Sequence, residues 1–181
     1  MNNALLLLAD GFETVEALQT LDVLTRTHRI VTTTASITSS KIVASSIGVK
    51  VEAMALLQDI SSQNYDFLIL PGGKLGVENL GKSPLVLQMI KEFLDHGKDV
   101  HAICAAPSIL GELGYLDGLP YTCFPGFQKG KGEYRDTGVV VTPHIITGHS
   151  MGFTLPFAEA IVAHYLGEEG IKAIKGGVYG K

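Results

Sequence analysis

Three short apolar runs, Ala4-Leu-Leu-Leu-Leu-Ala9, Asp66-Phe-Leu-Ile-Leu70 and Asp99-Val-His-Ala-Ile103, each stop at an abrupt corner: Asp10-Gly11, Pro71-Gly72-Gly73 and Cys104. Runs of this length without polar alternation suit strands buried on both faces. Segments with helical spacing fall among them. Val15 to Leu24 follows the first run, Leu85 to Leu94 precedes the third with Gly97 placed to cap it, and Pro107 opens a helical turn just after Cys104. Arg29 to Ala35 is rich in β-branched residues, and Lys41 to Val43 with Val49 to Val51 read as a small hairpin around Gly48. Strands at Tyr121 to Phe124, Val139 to Val141 and Ile145 to Thr147 precede a closing helix from Leu155 to Leu166, ended by Gly167. This alternation predicts a mostly parallel, doubly wound α/β sheet whose ligand site lies at the carboxyl ends of the strands. If the three runs are neighbours, a carboxyl, a glycine turn and a thiol share one cleft.

At 181 residues and 46% apolar content the chain fits one domain, residues 1–181, with a core that needs neither disulfide nor metal. A net charge of -4 with scattered basic residues leaves no footprint for nucleic acid. No apolar run approaches the roughly 20 residues that cross a bilayer, and the start lacks a basic flank and cleavage site, so a cytoplasmic protein is expected. In that reducing compartment Cys104 and Cys123 are expected as free thiols.

Cys104 draws attention because a strand-to-helix corner sets a thiol against the positive end of the following helix, which favours the thiolate. Free cysteine is also a common small apolar filler, so the segment alone leaves both readings open. A thiolate nucleophile needs a proton acceptor, and the first helix offers Glu16, with Glu13 as competitor. Gly72-Gly73 can bring a backbone amide close to a developing oxyanion, or be a plain turn. Gly72-Gly-Lys-Leu-Gly76 matches neither phosphate-loop spacing, so no nucleotide site is expected.

Asp10-Gly-Phe-Glu-Thr-Val-Glu16, Leu70-Pro-Gly-Gly-Lys-Leu-Gly76, Ala102-Ile-Cys-Ala-Ala-Pro107 and Thr147-Gly-His-Ser-Met-Gly152, in this order, resemble the DJ-1 branch of the DJ-1/PfpI superfamily over nearly the whole chain. The resemblance implies a flavodoxin-like three-layer α/β sandwich, a homodimer, Cys104 as reactive thiol, Glu16 as the acid bonded to its sulfur, and Gly73 and Ala105 as backbone donors. Lys74, Phe124 and His149 are the expected pocket residues. The implied activity is that of a glutathione-independent glyoxalase or deglycase acting on small 2-oxoaldehydes, with neither cofactor nor metal. The alternative is a non-enzymatic redox sensor or chaperone working through oxidation of Cys104.

Ala105 stands where protease-like members carry histidine, which disfavours a peptidase. No histidine here is followed two residues on by glutamate, as the related amidotransferases require. Two departures from the DJ-1 pattern bear on mechanism. Phe124 replaces a histidine of the Thr-x-His-Pro strand, and Ile47 aligns with an arginine that donates to oxidised sulfur. His101 is expected to be structural.

Overall fold

The computed structural model describes residues 1–180. In chain order the elements are β1 (Asn2–Leu8), α1 (Thr14–Thr25), β2 (Ile30–Ser36), β3 (Ile42–Ala44), β4 (Lys50–Glu52), β5 (Ala55–Leu56), β6 (Phe67–Leu70), α2 (Lys74–Lys82) and α3 (Pro84–Asp95). They continue with β7 (Asp99–Ile103), α4 (Pro107–Glu112), β8 (Pro120–Tyr121), β9 (Glu133–Tyr134), β10 (Val139–Val141), β11 (Ile145–Gly148) and α5 (Thr154–Tyr179). Seven strands form one sheet in the order β10-β11-β7-β6-β1-β2-β5. Every pairing in it is parallel except that of β10 with β11.

The solid apolar runs are explained by cover on both faces. Leu5, Leu7, Leu68, Leu70 and Val100 face α2, α3 and α4, where Leu80, Ile90, Phe93 and Leu110 meet them. Leu6, Leu8, Phe67 and Ile69 face α1 and α5, against Ala17, Leu24, Phe157 and Ile161. Each fully buried leucine contributes roughly 1.5–3 kcal/mol through lost water contact. The arrangement is the doubly wound sheet that the alternation predicts and the flavodoxin-like sandwich that the resemblance implies. β3 and β4 pair antiparallel outside the main sheet, as the hairpin reading expects.

Five elements depart from expectation, among them β9, which pairs with β8 in a small sheet apart from the main one. α2 begins directly at Lys74, where the sequence reads only a turn; Gly76 and Gly81 weaken its helical signature. β5 adds a two-residue parallel edge beyond β2. The strand expected through Phe124 ends at Tyr121, because the Phe124 amide is taken by the carbonyl of Cys104 at 2.7 Å. Gly167 interrupts α5 at φ 61°, ψ -157° instead of ending it, and helix resumes to Tyr179.

Candidate active site

β1, β6 and β7 lie side by side in the sheet, so their carboxyl ends meet. Cys104 follows β7 immediately and takes φ +65°, a left-handed conformation that costs a non-glycine residue of order 1 kcal/mol or more and recurs where a nucleophile is presented at a sharp turn. Its amide donates to the carbonyl of Gly148 at 2.9 Å, which pins the corner to β11.

Glu16 sits in the first turn of α1 and is 1% exposed. Its Oε2 accepts the Gly72 amide hydrogen at 2.8 Å. Oε1 has no hydrogen-bond partner, and the Cys104 sulfur and the carboxyl converge on the same position over Gly72. Close approach is possible because residue 72 is glycine. A methyl there would lie 2.6 Å from Cys104 Cβ and 3.1 Å from Sγ, with Glu16 Oε2 nearer still. Gly73, at φ +92°, and Ala105 stand beside Cys104 in the cleft lining, and their backbone amides favour the charged sulfur. Glu13 does not compete for the thiol; its carboxylate accepts the Ser46 hydroxyl at 3.1 Å at the cleft mouth.

The electrostatics correct one expectation. The Cys104 thiol is pushed up to about 12, first by burial and then by the charge and hydrogen bond of Glu16, against a smaller pull from the Gly73 and Ala105 amides. α4 is only six residues long, and its end does not offset that desolvation. Burial likewise raises Glu16 to about 7, outweighing its bonds from Cys104 and Gly72. The pair therefore enters neutral pH as a protonated thiol beside a carboxyl poised between its two forms.

The sulfur opens into a cleft of about 510 Å³ lined by Lys74, Phe124, Phe127, Ser150 and Met151 among others. Lys74 and Phe124 thus stand where expected. His149 does not line it: its ring packs on Phe153, Nδ1 lies 3.2 Å from the Ser150 hydroxyl and Nε2 3.5 Å from Asp136. Ser150 and Met151, two and one residues from the end of the motif over residues 147–152, take its place, and Phe127, which no motif marks, joins Phe124. Ile47, 74% exposed on the β3–β4 turn, does not line the cleft either.

Cys123 is fully buried and unpaired, and burial lifts its thiol to about 11. His101 is also fully buried and held neutral, its value lowered to about 3 by burial; it accepts the Ile146 amide through Nδ1. A second cleft, about 540 Å³ near Ser62, Glu92, His96 and Lys98, holds no thiol; the Ser62 hydroxyl is bonded to Glu92 and the lysine to the carbonyls of Ser62 and Tyr65. Among the described residues no three His, Cys, Asp or Glu side chains form a metal-holding group, and no helix is long and apolar enough to cross a membrane.

The DJ-1/PfpI family model matches residues 2–164. Protein DJ-1 homolog B of Arabidopsis thaliana is 36% identical over 90% of this chain, which spans 37% of that protein's length. The Parkinson disease protein 7 homolog of Danio rerio is 32% identical over 95% of this chain and 94% of its own. The glutathione-independent glyoxalase DJR-1.2 of Caenorhabditis elegans is 30% identical over 92% and 90%. Among solved structures, a DJ-1 superfamily protein from Salmonella typhimurium superposes with a TM-score of 0.92 at 32% identity, covering 99% of this chain and 98% of that one.

Proposed function

The chain belongs to the DJ-1/PfpI family, and from that premise we propose that it converts small 2-oxoaldehydes such as methylglyoxal to 2-hydroxy acids without glutathione. The observation that carries this reading is the convergence of the Cys104 sulfur and the buried Glu16 carboxyl over Gly72, at the floor of an open cleft. The family includes a relative named for a glutathione-independent glyoxalase, which supports the same chemistry here.

In the proposed reaction Cys104 Sγ forms a bond to the aldehyde carbon as its proton passes to the Glu16 carboxylate, and the aldehyde oxygen is protonated to give a hemithioacetal. Glu16, returned to its charged form, removes the hydrogen from the sulfur-bearing carbon, and the electron pair moves into an enediol. A proton delivered to the neighbouring carbon then leaves a thioester. One carbon has been oxidised and its neighbour reduced, so no outside oxidant or reductant is needed. Water cleaves the carbon–sulfur bond and releases the hydroxy acid. The Gly73 and Ala105 amides are the donors for charge that develops beside the sulfur.

An oxidation sensor at the same sulfur is the competing reading. A thiol raised to about 12 depletes the thiolate that both readings use, and the enzyme reading alone gives the neighbouring Glu16 carboxyl a role, as acceptor of the thiol proton. Lactate formation from methylglyoxal by the purified protein tests the enzyme reading, and Cys104→Ala is expected to reduce it to background. Wild-type rates in that variant would overturn the mechanism. We also read the chain as a homodimer.

A further inference from the structure

We infer that the cleft selects 2-oxoaldehydes carrying an aryl or bulky apolar group over methylglyoxal. The inference rests on the proposed Cys104 chemistry and adds the identity of the group on the substrate's second carbon. Charge in the cleft is confined to Glu13, Glu16 and Lys74, while Phe124, Phe127 and Met151 present hydrocarbon. Phe124 and Met151 remain 43% and 51% exposed, so hydrocarbon surface at the site stands ready to be covered.

The geometry suits a ring. Phe124 and Phe127 meet edge to face, with centroids 6.2 Å apart and planes at 74°, an arrangement that a third ring can extend. Backbone bonds hold them relative to the nucleophile. The Phe124 amide donates to the Cys104 carbonyl at 2.7 Å, and the Phe127 amide donates to the Phe124 carbonyl at 3.1 Å. A cleft of about 510 Å³ falls in the range, roughly 300–1,000 Å³, of sites that hold drug-sized ligands, and a methyl substituent leaves most of it empty. The apolar group stays in place while the sulfur adds and the proton moves, so its contacts lower the transition state and act on kcat/KM. The reaction balance is unchanged: phenylglyoxal and water give mandelate.

The test is the ratio of kcat/KM for phenylglyoxal to that for methylglyoxal, read from mandelate and lactate, in wild type, Phe124→Ala and Met151→Ala. Wild type is expected to favour phenylglyoxal by roughly tenfold or more, and each substitution to lower the ratio several-fold. Comparing ratios between variants cancels the intrinsic reactivity of the two aldehydes. Both side chains are partly exposed, and matching circular dichroism and melting curves check that the variants fold. Turnover of both aldehydes with a ratio that neither substitution moves overturns this inference and leaves the glyoxalase reading standing. Failure of wild type to consume either aldehyde overturns both.

Discussion

Glu16 occupies a position where an aliphatic side chain would pack at lower cost, and its ionisation sets opposite demands on catalysis and stability. As the proton acceptor for Cys104 it must be charged, so activity is expected to rise with pH through about 7, the limb belonging to the coupled pair. In the folded chain the carboxyl keeps its proton up to about 7, whereas unfolded it releases it near 4.5. Stability contributed by the protonated form is therefore lost as pH climbs between those values, on the order of 3 kcal/mol in total. Glu16→Gln retains an acceptor for the Gly72 amide and is expected to cost roughly 10²–10⁴ in kcat/KM and erase the pH limb. It should also raise the melting temperature at pH 8 while leaving it little changed at pH 4. Equal melting shifts at both values would show that the burial of charge has been misjudged. Both members of the pair are legible in the sequence, Cys104 from its corner and Glu16 from the opening motif. The direction of the thiol shift is not, because desolvation depends on neighbours drawn from β6, β7 and α1 at once.

β1, β6 and β7 are the elements most readable from sequence, since cover on both faces imposes an unbroken apolar run. α2 escapes notice because two glycines dilute its propensity, and it forms on tertiary contacts: Val77 and Leu80 join the core. α5 outlasts its glycine for the same reason, with Ile174 buried beyond the break. The β3–β4 hairpin is legible as a unit, and its exposed hydrocarbon supports the proposed homodimer. Ile42, Ile47 and Val49 are exposed, as is Val15 at the nearby start of α1; Phe12 bridges to Ser45, tying the hairpin to that helix. Ile47→Lys is expected to shift the mass seen by light scattering from two chains toward one without loss of fold. A wild-type mass of one chain would remove the dimer assignment.

Across the whole molecule, the alternation of strands and helices puts the three corners at the carboxyl end of the sheet, and the strand order β7-β6-β1 brings them together. The opposite end holds what that pattern does not reveal. Asp99, first residue of β7, accepts hydrogen bonds from Tyr165, His144 and His164, which outweigh burial and hold its carboxyl below the usual range. These partners lie 45 to 66 residues away, so only the folded chain unites them. The sheet thus carries a polar fastening at one end and its reactive thiol at the other. One consequence concerns handedness. The carboxyl of Glu16 is fixed on one side of the sulfur by the Gly72 amide, and it is the one ionisable side chain acting on that sulfur among the described residues. A planar enediol held there meets its proton from a single face. Chiral chromatography of the lactate should show one enantiomer in large excess; a racemate would mean that the enediol escapes and is quenched in bulk water.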